Sequence, residues 1–196
     1  MFLLREPSDP AIEVFLSAQR RQNFSYPEIG ASLGASPAGY TVDHNRVRLG
    51  SGEECFTKAV AAVRAWRMFN LGWCRLHPPA APLEVGATVA VIVKHFGFWS
   101  LNACRVVYLL DERGAFRRYG FAYGTLPEHG ETGEERFSVE WNGDDDSVWY
   151  DLYAFSRPRP LAARLAYPLG RRLQRRFAAE SKAAMLRAVR EGRAEA

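Results

Sequence analysis

Residues 119–141 read YGFAYGTLPEHGETGEERFSVEW, and this stretch decides what kind of sheet the chain forms. On both sides of a turn rich in glycine and glutamate, bulky side chains alternate with small or polar ones. A period of two is typical of β-strands, and a short turn between two such runs predicts an antiparallel hairpin. The connection is too short for the crossover that parallel strands require. The stretch therefore predicts an antiparallel sheet.

Similar strand-like runs extend this hairpin in both directions. Five of them follow one another with short turns between them, at Thr88–Phe96, Leu101–Leu110, Phe116–Leu126, Glu134–Trp141 and Val148–Phe155. This order predicts an antiparallel meander. Two earlier runs, Tyr40–Leu49 and Trp73–Leu76, predict an edge strand and a short strand closed by prolines.

Helical periodicity appears in three places. A helix is predicted from Asp9 to about Asn23, and a second follows Ser51, with Phe56, Ala59, Val60 and Val63 on one face. The third runs from Pro160 to about Glu191 and carries a stripe at four-residue steps, Leu161, Leu165, Leu169, Leu173, Phe177, Ser181, Met185 and Val189. Such a stripe is long enough to cross a whole sheet, and Pro168 and Gly170 predict a kink in it.

These elements predict one α+β domain over residues 1–196. Residues 1–38 form an N-terminal helix and a covering segment, residues 39–191 form the core, and residues 192–196 form a frayed tail. A curved antiparallel sheet of about six or seven strands, wrapped around the long C-terminal helix, buries every apolar face that the pattern defines.

Several segments resemble a known family: GYTVDHNRVRLGSGEECF, AVRAWRMFNLGW, NACRVVY, FAYGTLPEHGETGEERFSVE and AFSRPRP. They are similar to the uncharacterised protein family numbered 0548, and the similarity covers Gly39 to about Gln174. The resemblance implies the helix-grip fold of birch-pollen-allergen-like and START proteins. It also implies binding of a small hydrophobic or amphipathic molecule, and it assigns no catalytic residue.

Composition limits the classes of function that remain. The three cysteines are scattered and the four histidines lack metal-ligand spacing, so we expect no disulfide framework, no metal and no cofactor. The longest apolar runs are far shorter than a membrane span requires. The N-terminus lacks the pattern of a signal peptide, and the expected location is cytoplasmic.

Two charged residues share strand faces with apolar neighbours. Glu135 alternates in step with Phe137, and Arg105 alternates in step with Leu101 and Ala103. A charge on an apolar face is costly unless it is paired, so we predict that Arg105 and Glu135 meet on the concave side of the sheet. The pair is either a structural ion pair or a ligand site, in which Arg105 orients a ligand and Glu135 accepts a proton.

Three further residues are candidates for lining a pocket. Tyr119 and Tyr123 share a face that either forms a pocket wall or simply covers the sheet. His95 follows the Val89, Val91 and Val93 face and is either a satisfied strand-end histidine or a ligand contact. His129 lies among glutamates in the turn and is interpreted as part of an acidic surface turn, with a general base as the alternative.

An arginine cluster marks the C-terminal helix. Arg171, Arg172, Arg175 and Arg176 lie beside the apolar stripe, and no acid occurs between Asp151 and Glu180. Like charges this close invite an anionic partner, although a solvated helix face explains them equally well. No aromatic residues are interleaved with these arginines, so nucleic acid is not the expected partner.

The sequence thus leaves three hypotheses for the function. The leading one is binding of a small hydrophobic or amphipathic molecule between the sheet and the C-terminal helix. The second is a cyclase-like or hydrolase-like enzyme that uses Arg105 and Glu135 in the same pocket. The third is an interaction module that contacts a partner through the arginine cluster.

Overall fold

The computed structural model describes residues 1–158 and 162–191, with side chains for residues 1–158 and 168–191. The α-helices are Asp9–Gln19 (α1), Gly52–Arg64 (α2) and Ala162–Glu191 (α3), and short 3-10 turns occupy Ala31–Leu33 and Arg67–Phe69. The strands are Phe2–Leu3 (β1), Thr41–Ser51 (β2), Cys74–His77 (β3), Thr88–Lys94 (β4), Trp99–Glu112 (β5), Phe116–Thr125 (β6), Glu131–Asn142 (β7) and Ser147–Pro158 (β8). Pro160, Leu161 and the predicted tail 192–196 lie outside the described residues.

The strands form one antiparallel sheet in the order β2-β8-β7-β6-β5-β4-β3. Strands β4 to β8 are the predicted meander, and β2 closes onto β8 over ten paired positions from Thr41 to Ser51. The short strand β1, which the sequence analysis does not predict, pairs with the start of β5. This topology, with α3 against the sheet, confirms the α+β helix-grip fold.

Helix α3 packs on the concave face of the sheet through the predicted stripe. Ser181, Met185 and Val189 are buried in the main core, and the Ser181 hydroxyl lies 2.9 Å from the hydroxyl of Tyr150 on β8. Leu173 and Phe177 pack against the same core but are partly exposed. Leu169 is 45% exposed. The stripe therefore fills the space against the sheet at its C-terminal end and leaves a gap further toward the N-terminus.

The convex face of the sheet is also buried, under α1 and the covering segment. Ile12, Phe15 and Leu16 of α1 form a second core with Leu101 and Ala103 of β5. Burial of both faces explains why β4 and β5 read as almost continuous apolar runs. The convex face of β5 is thus a packing surface for α1.

Glu134 attaches the covering segment to this convex face. Its carboxylate is 2% exposed and accepts hydrogen bonds from the Tyr26 hydroxyl at 2.7 Å, the Gly30 amide at 2.8 Å and the Ser32 amide at 3.0 Å. Gly124 makes room for this contact, because a Cβ atom there would lie 2.1 Å from the Tyr26 hydroxyl oxygen. The glycines and glutamates of residues 119–141 therefore hold residues 25–39 in place.

Alternation along β7 predicts that Arg136, Ser138 and Glu140 lie on a solvated face. In the structure this convex face of β7 is largely buried. Ser138 is fully buried and Glu140 nearly so. Arg136 donates to the buried carboxylate of Asp151 at 3.1 Å, and Arg46 contacts the same carboxylate at 3.1 Å. These charges balance one another across three strands, and pairing allows them to be buried.

Candidate functional site

One row of side chains crosses the concave face between α3 and the sheet. In the strand register, Asp43 of β2 lies opposite Ala154 of β8, Ala154 lies opposite Glu135 of β7, and Glu135 lies opposite Tyr123 of β6. Side chains at paired positions point to the same face of a sheet. The register therefore brings two carboxylates and a phenol together from distant parts of the sequence.

A cavity of about 950 Å³ opens over this row. Its walls come from the concave face of the sheet, from the Arg67–Phe69 turn and from α3. The apolar lining includes Phe69, Trp73, Val91, Val93, Leu152, Leu173 and Phe177, and the polar lining includes Asp43, Asn102, Tyr123, Glu131, Glu135 and Gln174. The volume lies at the upper end of the range that is usual for small-molecule sites.

Glu135 is a carboxyl of the cavity wall whose pKa its surroundings shift into the neutral range. Burial raises the pKa of its carboxyl to about 7, and the nearby carboxylates of Glu131 and Asp43 act in the same direction. The Tyr123 hydroxyl donates a hydrogen bond to Oε2 at 2.8 Å and opposes this rise. A carboxyl with a pKa near 7 exchanges its proton at neutral pH, which is the property that general acids and bases need.

Two other carboxylates of the cavity lining, Asp43 and Glu131, have partners on α3. Arg171 donates to Asp43 through two guanidinium nitrogens, one of them at 2.7 Å from Oδ1. Gln174 donates to Glu131, and burial raises the pKa of the Glu131 carboxyl. Asp43 and Glu131 therefore attach α3 to the sheet as well as lining the cavity, whereas Glu135 bonds to a side chain of its own sheet.

The predicted pairing of Arg105 with Glu135 is wrong. Arg105 pairs in register with Gly124 and lies on the convex face, where its guanidinium donates to the carbonyl oxygens of Gln19 at 3.1 Å and Arg20 at 3.0 Å. It therefore satisfies carbonyl groups at the C-terminus of α1, a position where a cation also interacts favourably with the helix dipole. Both faces of β5 are apolar, so the face of Arg105 could not be read from its neighbours alone.

The structure separates the two candidate tyrosines. Tyr123 lines the cavity, and its hydroxyl contacts Glu135. Tyr119 lies on the same face but beside α2, where Arg64 donates to its hydroxyl at 3.0 Å and lies over its ring. Tyr119 is not part of the cavity lining.

The two candidate histidines lie in the cavity wall beyond the ends of β4 and β6. His95 stacks on Phe98 with ring centroids 4.4 Å apart, and its Nε2 lies 2.9 Å from the Ser100 hydroxyl. Burial lowers the pKa of His95, which favours the neutral ring. His129 accepts a hydrogen bond at Nδ1 from the Glu131 amide at 3.0 Å. It orders the turn that the sequence analysis interprets as an acidic surface turn.

The four arginines of the cluster differ in the contacts that they make within the chain. Arg171 binds Asp43, and Arg176 donates to Glu180 at 2.7 Å while its guanidinium covers the Trp73 ring. Arg171 is thus occupied within the chain, whereas Arg176 remains exposed, and the anionic-partner face stays a prediction. Arg172 and Arg175 are exposed, and Arg175 also borders the cavity.

Asp43, Glu131 and Phe69 are cavity residues that the sequence analysis does not select. Asp43 is an unfavourable residue type within a strand, Glu131 lies in the acidic turn, and Phe69 follows a helix end. A possible signal for Asp43 was its alternation with Thr41, Asn45 and Val47, the inward face of β2. No local pattern distinguishes Glu131 or Phe69, because their positions depend on β8 and α3.

In residues 1–158 and 168–191, no three histidine, cysteine, aspartate or glutamate side chains converge in a way that could hold a metal ion. None of the helices within residues 1–158 and 162–191 combines the length and apolar character that a membrane crossing demands.

Comparison with known proteins finds relatives of this chain by sequence. The family described as "Domain of unknown function (DUF1990)" matches residues 25–184. A UPF0548 protein of Deinococcus radiodurans is 43% identical over 96% of this chain and 99% of its own length. A UPF0548 protein of Dictyostelium discoideum is 36% identical over 96% of each chain.

Two solved structures show more distant similarity. The structure of Ara h 8.0201 covers 78% of this chain and 99% of its own, at 11% identity and a TM-score of 0.47. The structure of human STARD10 covers 93% of this chain and 81% of its own, at 10% identity and a TM-score of 0.44.

Proposed function

Since the chain belongs to the DUF1990 (UPF0548) family, whose description names no ligand or reaction, we propose from the cavity itself that the protein binds a small hydrophobic or amphipathic molecule. The molecule lies between the concave face of the sheet and α3. One observation carries the proposal: a cavity of about 950 Å³ with mainly apolar walls that contains the half-buried carboxyl of Glu135.

The shape of the core supports this use of the cavity. A stripe of α3 side chains that filled the whole concave face would bury Leu169, Leu173 and Phe177, yet these side chains remain partly or largely exposed at the cavity. Well-packed interiors contain few voids larger than a water molecule. An apolar guest would cover these side chains and gain roughly 25 cal/mol for each Å² of apolar surface removed from water.

Fluorescence titration with the neutral apolar dye N-phenyl-1-naphthylamine tests the proposal. Ala154 lies in the cavity wall between Asp43 and Glu135, so Ala154→Phe fills space that the dye would occupy. Ala18→Phe is the matched control, because Ala18 is exposed on α1 and outside the cavity. We expect saturable binding to the parent protein and to Ala18→Phe, and binding at least about tenfold weaker to a folded Ala154→Phe. Equal binding to all three proteins would contradict the proposal.

A second candidate function is general acid–base catalysis by Glu135 in the same cavity. The observation that favours it is the pKa of about 7, together with the contact to the Tyr123 hydroxyl. The version that relies on Arg105 as partner is excluded by its position on the convex face. Loss of turnover in Glu135→Gln with dye binding retained supports catalysis, whereas a ligand recovered chemically unchanged after prolonged incubation supports binding alone.

A further inference from the structure

Glu135 has one carboxylate oxygen that is available to a guest. Tyr123 donates to Oε2 at 2.8 Å, while Oε1 accepts no hydrogen bond from any of the described residues. The residue is part of the cavity wall. A half-buried carboxylate has lost part of its hydration, and a donor supplied by a ligand would replace some of the hydrogen bonding that was lost.

Aromatic rings lie on the side of the cavity where Glu135 bonds to Tyr123. The Phe69 ring centroid is 6.1 Å from that of Tyr123 and 5.3 Å from that of Phe177, and all three side chains line the cavity. The faces of aromatic rings attract cations, most strongly where water is excluded. A carboxylate beside several aromatic rings is the combination that recognises an ammonium group.

The charges around Glu135 disfavour an anion at the same place. Six ionisable groups interact electrostatically with Glu135, and they lie on β2, β3, β5, β6, β7 and β8. They are Asp43, Cys74, Cys104, Tyr123, Glu131 and Tyr150. Each of these is either neutral or negative at pH 7. Two cations of α3 also border the cavity, but Arg175 is exposed and Lys182 contacts Asn45 at 3.3 Å.

We infer that the cavity selects an amphipathic molecule with a protonated amine, the ammonium group bound to Glu135 Oε1 and the apolar part packed against Phe69, Phe177 and Leu173. This inference rests on the proposed function and names the chemical class of its ligand. An alcohol offers a hydrogen bond without the charge, and a fatty acid brings a second carboxylate to a negative site. The order of affinity follows as amine, then alcohol, then carboxylate.

Isothermal titration calorimetry with three ten-carbon probes tests this order. Decylamine, 1-decanol and decanoate share one apolar chain and differ at the head group, and all are used below the concentration of micelle formation at pH 8. We expect decylamine to bind about tenfold more tightly than decanol, since its ammonium group forms an ion pair with the carboxylate and the neutral hydroxyl gives only a hydrogen bond. In Glu135→Gln, decylamine and decanol should bind equally, while the exposed control Glu54→Gln keeps the preference.

Proton release gives a second readout that a purely structural role of Glu135 would not produce. At a pH of about 6.5, part of the Glu135 population carries a proton, and binding of an ammonium group expels it. Titrations in phosphate and in ACES, buffers of different ionisation enthalpy, should therefore give different heats for decylamine and equal heats for decanol. Glu135→Gln should abolish the difference.

The outcomes separate this inference from the proposed function. If decanol or decanoate binds as tightly as decylamine, or if the amine preference persists in Glu135→Gln, the choice of an amine is overturned while binding in the cavity stands. If none of the three probes binds and the Ala154→Phe dye experiment also fails, both are overturned. Circular dichroism and thermal melting establish that each variant is folded before its heats are interpreted.

Discussion

Replacing Glu135 by glutamine should stabilise the protein at alkaline pH but not at acidic pH. Glutamine keeps the shape of the side chain and cannot ionise. In the parent protein, burial and the carboxylates of Glu131 and Asp43 raise the pKa of Glu135 from its ordinary value of 4.5 to about 7. The folded protein therefore holds this proton more tightly than the unfolded chain does.

The sign and size of the effect follow from this difference. Where the folded state binds more protons than the unfolded state, stability falls as pH rises. The loss begins near the unfolded pKa of 4.5, is complete above about 7, and amounts to roughly 3 kcal/mol at about 1.4 kcal/mol per pKa unit. Glutamine avoids this cost, so the gain of Glu135→Gln at pH 8 over its value at pH 4 should be roughly 3 kcal/mol.

Urea unfolding of both proteins at several pH values between 4 and 8 measures this quantity. The difference between the two free energies of unfolding cancels the contributions of raised-pKa groups that do not interact with Glu135, such as Glu140. Glu54→Gln on the exposed face of α2 is the control: it removes a surface ion pair with Lys58, so its pH-dependent difference should stay within about 0.5 kcal/mol. If the difference between Glu135→Gln and the parent protein stays constant from pH 4 to pH 8, the assignment of a raised pKa to Glu135 is refuted.

Three further predictions concern the contacts that hold the two faces of the sheet. Gly124→Ala should displace Tyr26 and destabilise the protein by about 1–3 kcal/mol, which is the usual cost of overpacking. The same substitution in a Tyr26→Ala background should cost less, and urea unfolding of the double mutant measures this difference; an equal cost would contradict the proposed clash. Glu134→Gln should weaken the hydrogen bonds that anchor residues 25–39, so limited proteolysis should cut this segment faster, and an unchanged cleavage rate would contradict its anchoring role. Arg171→Ala should lower the free energy of unfolding by about 1–3 kcal/mol, because it leaves the partly buried carboxylate of Asp43 without its partner. Arg172→Ala is the control and should change the free energy of unfolding by less than about 0.5 kcal/mol. Equal effects of the two substitutions in urea unfolding would contradict the assigned role of Arg171.

Alternation of side chains predicted much of the sheet and part of the site. It placed Glu135 on the face of Phe137 and Val139, and these residues are in the concave core or its cavity. Helical periodicity predicted the four-residue stripe of α3, which is confirmed at Ser181 and Met185. These predictions hold because period and face are properties of a single element and need no knowledge of its neighbours.

The contacts between different elements could not be predicted from periodicity. Arg105 shares a face with Leu101 and Ala103, as predicted, but that face is the convex one because α1 covers it. Strand β5 is apolar on both sides, so its pattern could not say which side is concave. The partner of Glu135 could only be found once the register set Tyr123 opposite it.

Residue order alone determined the antiparallel meander, the long terminal helix and the inward direction of Glu135, because each depends on local periodicity and on the length of a connection. Tertiary structure decided which carboxylates meet, which arginines are neutralised, and that a cavity of about 950 Å³ remains beneath α3. The physical reason is that a cavity and a raised pKa arise from groups far apart in sequence: residues 43, 123, 131, 135 and 154 converge only when β6, β7, β8 and β2 pair in register.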